Sequence, residues 1–359
     1  MKKVSKVLIC IFCVLFIAAI IYCIFKVIQL DKLSNMSSEE MLEVLTKENS
    51  NVKVSIGVLK DGKSSFRILG QNMKEEENVS YDYEIGSISK TFLALMMSEA
   101  ISEGKINMED NISKYLDLES DIYYPTIKRL LTHTSGYSSY YFDSQMIDNR
   151  LSGANDFYNI SKSKILDKVK SVHLKDKNYK FNYSNFGISV LGQVLEKVYN
   201  KDYTALMNEY IKENLKLENT SVATCKGNLD LYWTWDKDDG YIPAGAIISN
   251  VYDMTKYVEL YLNSDKRYVA KTYEPQSHID ASNFIYKRLG INMDEIGMTW
   301  IIDSKNDFVW HNGATGNFNS FVAFNRAKNI GVVVLVNTPP NEKIPSTVIG
   351  MKLMKELCE

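Results

Sequence analysis

A serine and a lysine three residues apart, Ser87 and Lys90, stand where an apolar helical run begins, within Tyr83-Glu84-Ile85-Gly86-Ser87-Ile88-Ser89-Lys90-Thr91-Phe92. Positions i and i+3 of a helix share a face. The hydroxyl and the amine therefore point the same way, about one turn apart. The serine also falls at a helix N-terminus, where free N–H groups favour developing negative charge. A hydroxyl next to an amine that can take its proton is a nucleophile for acyl transfer. The spacing alone is not selective, because Ser50/Lys53, Ser102/Lys105 and Ser161/Lys164 repeat it. Ser87 differs in following Gly86 and preceding a hydrophobic helix. Ile88, Phe92, Leu93, Leu95 and Met96 recur at near-helical spacing up to Glu103, and Gly104 offers a stop.

Three other stretches carry groups that can join such a pair. In Phe181-Asn182-Tyr183-Ser184-Asn185, a phenol and an amide two residues apart precede a helix and can face one cavity. Tyr183 can exchange a proton with the serine oxygen or the leaving group, and the Asn185 amide can orient the lysine or a substrate carbonyl. In Trp310-His311-Asn312-Gly313-Ala314-Thr315-Gly316, small residues between two strands let a substrate backbone approach closely. His133, in Leu130-Leu131-Thr132-His133-Thr134-Ser135-Gly136, invites a Ser-His-Asp reading. Ser87 lacks the G-x-S-x-G elbow, however, and a base on its own helix makes a histidine unnecessary, so His133 is expected to be structural. His173 and His278 lie in polar surroundings and are expected at the surface.

These groups need a scaffold, and the chain is long enough to build one. Its 359 residues, 45% of them hydrophobic, suit one large or two modest domains with a real core. With a net charge of -2 and no long basic run beyond the N-terminus, a nucleic-acid partner is not expected. Residues 7–25 are uncharged and almost wholly apolar, and Lys2, Lys3 and Lys6 precede them. A run of about 20 such residues crosses a bilayer core, and the preceding lysines place the N-terminus in the cytoplasm. The run is longer than the apolar region of a cleaved signal peptide and ends in no A-x-A-like site. An uncleaved single-pass anchor in the cell membrane, with the bulk of the chain outside the cytoplasm, is the expectation. Cys10, Cys13 and Cys23 fall in that run, so Cys225 and Cys358 allow at most one disulfide in the remainder. No Cys/His cluster has zinc-ligand spacing and H-E-x-x-H is absent, so neither metal nor cofactor is expected.

Along the chain, Ser37-Ser38-Glu39-Glu40 predicts a capping box opening a helix to about residue 47. Asp61-Gly62 predicts a hairpin between strands 52–60 and 64–69. Helices are expected at 125–131, 186–199 and 206–215, and from an Asn250 cap to 262. Strands are expected at 298–302, 308–310, 320–324 and 331–336, before a terminal helix to about residue 357. Strands at both ends with helices between imply an α+β fold. Its single sheet would be shared by about residues 50–110 and 240–359, with a helical insert at about 111–239 and the anchor in residues 1–36.

Taken together, Glu84 to Phe92, Leu130 to Gly136, Tyr183-Ser184-Asn185, Ala244-Gly245-Ala246-Ile247-Ile248-Ser249 and His311-Asn312-Gly313 resemble the serine β-lactamase-related proteins. The nearest branch is that of class C β-lactamases and D-alanyl-D-alanine peptidases. The motifs occur in the family's order and cover about residues 50 to 340. The resemblance implies a β-lactamase-like three-layer fold, an antiparallel sheet flanked by helices. It implies Ser87 as acyl-accepting nucleophile, Lys90 as its proton partner, Tyr183 as general base or acid, and Asn185 as a positioning amide. By the same carry-over, the N–H groups of Ser87 and Ala314 form an oxyanion hole, and His311 and Gly313 stand where many members have Lys-Thr-Gly. The substrate would be a small peptide, an ester or a β-lactam, and three activities stay open. They are hydrolysis of D-amino acid bonds in the cell envelope, β-lactam resistance, and a penicillin sensor that acylates and stalls. Two departures bear on the choice: His311 replaces a lysine that helps bind a substrate carboxylate, and Asn317 stands where glycine is usual.

Overall fold

In the computed structural model, residues 2–119, 121–222 and 227–359 are described, with the side chains of 2–11, 13, 14, 17–19 and 23 outside the description. The strands are β1 (Val54–Lys60), β2 (Lys63–Leu69), β3 (Tyr83–Glu84), β4 (Ser221–Val222), β5 (Ile247–Ser249), β6 (Ser277–His278), β7 (Glu295–Ile296), β8 (Ile301–Asp303), β9 (Phe308–Ala314), β10 (Asn319–Asn325) and β11 (Ile330–Val336). An eight-stranded antiparallel sheet runs β2-β1-β11-β10-β9-β8-β7-β6, and a small second sheet runs β3-β5-β4.

The large sheet is covered on both faces. Successive side chains of a strand point to opposite faces. Along β11, Ile330, Val332, Val334 and Val336 meet the helices Ser38–Thr46 and Ser346–Cys358 through Leu42, Leu45, Ile349 and Met351. Val333 and Leu335 point the other way, into the core built with helices Ser89–Ser102 and Val251–Asn263. This double burial explains why β11 reads as a continuous apolar run. The helix–sheet–helix layering is the three-layer α+β arrangement expected. The expected discontinuity is present too, since β1 pairs with β11 in register Val54↔Val336 across nearly the whole domain.

Local signals behave as their chemistry requires. Ser37 and Glu40 form the capping box, Asp61-Gly62 joins β1 to β2, and the Asn250 side chain accepts from Asp253 N at 2.9 Å. Two strand expectations shift. The strand expected at 298–302 begins only at Ile301, because Thr299 adopts φ +65° and donates its N–H to Leu131 O. The strand expected at 308–310 runs on to Ala314, because β10 pairs with it through the Gly-containing segment.

The first helix is continuous from Lys2 to Asn35. Most of the expected anchor's side chains lie outside the described residues. Among the described residues no helix is long and apolar enough to cross a membrane. Near the helix end, Asp31 takes a two-pronged ion pair from Arg288 of helix Phe284–Arg288, at 2.5 and 2.6 Å. Cys225 lies outside the described residues, so its pairing with Cys358 does too.

Candidate active site

Ser87 sits on a turn made by the small sheet. Strand β3 ends at Glu84, Ile85 N donates to Ile247 O at 3.0 Å, and one 3-10 turn, Gly86–Ile88, feeds the helix Ser89–Ser102. Lys90 is fully buried, with Nζ 2.8 Å from Ser87 Oγ and donating to Ala244 O at 2.5 Å. Burial strips water from the ammonium and holds the amine well below the usual lysine range. A neutral amine keeps one lone pair. With an N–H committed to Ala244 O, that lone pair is placed to take the Ser87 proton.

Tyr183 completes this cluster. Its ring lies under the Lys90 amine, 5.1 Å from Nζ to the centroid. Burial pushes the phenol above its ordinary range, and the hydrogen bond with Ser87 pulls it back by less. The segment is braced by His133, whose carbonyl accepts from Asn182 N at 2.8 Å and whose Nδ1 accepts from Ser184 N at 3.2 Å. The His133 ring packs 4.6 Å from the Tyr183 ring. His133 thus holds the tyrosine rather than the serine. Asn185 opens the helix Asn185–Tyr199, with its amide 3.4 Å from Ser139 Oγ and no place in the cleft lining beside Ser87.

Strand β9 lies so close to the nucleophile turn that only glycines fit. A Cβ on Gly313 would stand 1.9 Å from Ile85 O, and one on Gly86 would stand 2.5 Å from Ala314 N. Ser320 Oγ of β10 donates to the same Ile85 carbonyl at 2.8 Å. Register then decides where the Ala314 N–H points. Thr315 N donates to Phe318 O across the β9–β10 turn, and backbone groups alternate sides along a strand. The Ala314 N–H therefore faces away from β10. On that side β8 reaches only as far as Trp310, its partner being Ile301. The donor is left at the cleft, beside Gly86 and Ser87.

The cleft has a volume of about 270 Å³. Ser87, Tyr183, His311, Asn312, Gly313 and Ala314 line it together with the largely apolar side chains Phe181, Tyr286, Met293, Ile301 and Trp310; among the described residues no lysine or arginine does. His311 is buried, its Nδ1 lies 2.7 Å from Asn312 O, and burial pushes its pKa down to about 3. A larger cleft of about 380 Å³ elsewhere contains Lys128, Arg129, Glu109 and Asp176. Its charges are already matched, Lys128 to Glu109 and Arg129 to Asp176, and the serine–lysine pair is not part of it.

One residue escaped the sequence reading. Glu84 is buried, accepting from Trp233 N at 2.6 Å and Thr315 Oγ1 at 2.5 Å. Burial raises its pKa to about 7 against the pull of both donors. It ties β3, the Trp233 segment and the β9–β10 turn into one frame around Ser87. The Trp233 indole lies against Gly316, and Trp235 packs 6.0 Å from Trp233, so the pair flanks that turn. Asn317 is used structurally, donating to Leu231 O at 3.0 Å. A carboxylate set between Tyr83 and Ile85, three residues before Ser87, was the available signal for Glu84.

Comparison with known proteins follows this geometry. A family model described as Beta-lactamase matches residues 40–347. Protein flp of Staphylococcus aureus (strain N315) is 24% identical over 350 residues, covering 88% of this chain and 66% of that protein. The chain thus spans at most about two thirds of the length of such curated relatives. The fold is that of the octameric penicillin-binding protein homologue from Pyrococcus abyssi (TM-score 0.69, 21% identity, 89% of this chain and 75% of that one). It is also that of the beta-lactamase/D-alanine carboxypeptidase from Yersinia pestis, complexed with citrate (TM-score 0.70, 18% identity, 92% and 99%).

Proposed function

This chain belongs to the beta-lactamase family, and from that premise we propose that it is a membrane-anchored, extracytoplasmic serine hydrolase. It forms an acyl-enzyme at Ser87 and acts on D-amino acid peptide or ester bonds of the cell envelope. The observation that carries the reading is the 2.8 Å approach of a fully buried, water-stripped Lys90 amine to Ser87 Oγ.

The steps follow from the groups in place. Lys90 takes the Ser87 proton as Oγ attacks the substrate carbonyl. The pKa directions favour this division of labour, since Lys90 is held low and Tyr183 high. The phenol stays protonated at neutral pH and serves as proton donor toward the leaving group. The oxyanion forms against the N–H groups of Ser87 and Ala314. The Lys90 ammonium returns its proton to the Tyr183 phenolate, which restores both groups, and water then hydrolyses the ester with Lys90 again as base. Penicillins carry a carboxylate, and a His311 held neutral, with no cation among the described residues lining the cleft, gives that group no charge partner there. This favours an envelope ester or amide over the β-lactamase reading. The sequence of residues 7–25 supports the anchor and hence the location.

The test is covalent labelling of the full chain with a fluorophosphonate, read by mass spectrometry. Wild type should carry one adduct at Ser87, and Ser87→Ala none. An adduct on Ser87→Ala, or none on wild type, would remove the serine mechanism.

A further inference from the structure

His311 occupies the place where related enzymes present a lysine, and its ring has a defined hydrogen state. Its Nδ1 lies 2.7 Å from the Asn312 carbonyl oxygen. A carbonyl only accepts, so Nδ1 carries a hydrogen. A neutral imidazole carries one N–H and one bare nitrogen. Burial keeps this ring neutral throughout the physiological range. Nε2, at the far end of the ring, is therefore a lone pair. It is buried and has no hydrogen-bond partner among the described residues. Neighbouring donors are committed elsewhere: Lys90 reaches Ser87 and Ala244, and the Tyr183 hydroxyl hydrogen-bonds with Ser87.

A buried acceptor left without a donor is costly, and a substrate that supplies one removes the cost. A carboxylate cannot, because when ionised it offers only lone pairs. The apolar wall of Phe181, Met293, Ile301 and Trp310 adds nothing to hold a negative charge. Resting on the serine-hydrolase reading, we propose that His311 is a specificity residue that selects substrates with an uncharged hydrogen-bond donor, an amide N–H or a hydroxyl, where related enzymes hold a carboxylate.

Two compounds of nearly equal shape test this: N-acetyl-D-alanyl-D-alanine, ending in a carboxylate, and its C-terminal amide, ending in two N–H donors. Each is assayed for turnover and for protection of Ser87 from the fluorophosphonate, so that slow hydrolysis does not hide binding. Wild type should favour the amide by about tenfold or more, the worth of one well-made hydrogen bond over a mismatched pair. The ratio should stay flat from about pH 5 to 9, because His311 does not titrate there. His311→Lys should reverse the preference. His311→Gln, which keeps an acceptor at the end of its side chain, should retain it. Melting curves identify any variant that fails to fold, and the wild-type ratio stands without either. Labelled wild type that binds both compounds equally, prefers the acid, or is protected by neither overturns the donor selection and leaves the serine mechanism standing. Absence of Ser87 labelling overturns both.

Discussion

Gly313→Ala should separate the site's geometry from its chemistry, because it changes no reacting group. The added Cβ would stand 1.9 Å from Ile85 O and 2.6 Å from Ser320 Oγ. A tolerable carbon–oxygen contact is about 3.2 Å, so β9 or the Ile85 turn must retreat by about 1.3 Å. Ser320 can rotate, but the carbonyl is backbone and lies two residues before the nucleophile. The Ala314 N–H moves with the alanine. Displacing reacting geometry by about 1 Å costs on the order of 10²-fold in rate, and loss of one oxyanion donor costs about 10²–10³-fold in kcat. Overpacking of this kind also costs about 1–3 kcal/mol of stability. Steady-state hydrolysis of a chromogenic ester, alongside a thermal melt, reads both effects. The expected result is a folded protein whose kcat falls at least a hundredfold while KM changes little. Wild-type kcat in a folded Gly313→Ala protein would refute the close-approach argument and the oxyanion role of Ala314 together.

Three other outcomes are expected. Tyr183→Phe and Lys90→Ala should each lower the acylation rate by about 10²–10⁴, and the double variant should lose little more than the worse single one; additive losses would separate their roles. Glu84 has a folded pKa of about 7 against an ordinary 4.5, so its stabilising contribution is complete below about pH 4.5 and is lost as pH rises through 7. That raised pKa corresponds to about 3 kcal/mol, so Glu84→Gln should destabilise less than wild type between about pH 5 and 8.5; parallel melting curves would contradict this. Protease added to cells stripped of their wall should release the body of the protein and leave a short membrane-bound stub, and protection of the full chain would rule out the anchor orientation.

The serine–lysine pair was legible because helix periodicity alone sets the direction of residues three apart. The same holds for the Asn250 cap and the capping box at Ser37, which are contacts over three positions. The Ala314 donor could not be derived from spacing. Its direction depends on the alternation fixed by Thr315 N bonding Phe318 O and on how far β8 extends, both of which are tertiary facts. The Ala244 carbonyl that fixes Lys90 lies 154 positions away and is a backbone atom, so its residue type carries no trace of the role. The sheet β3-β5-β4 escaped because two- and three-residue strands show no periodicity. In the sequence His311 reads only as the replacement of a lysine that helps bind a carboxylate. Its bond to the next residue's carbonyl and its burial leave its far nitrogen an acceptor, which is visible only once the ring's surroundings are known.

The pairing of β1 with β11 has a temporal consequence. Ser87 and Lys90 leave the ribosome early, but His311, Gly313 and Ala314 follow more than two hundred residues later. Strand β9 is held through β10 and β11 to β1, so the oxyanion donor reaches the serine only after the chain's two ends have met. Contacts of such long sequence separation form slowly. A chain still being synthesised therefore has Ser87 and Lys90 without the strand that lies against them. Under the mechanism proposed, hydrolytic competence would be conferred in a single late event, the closing of the sheet.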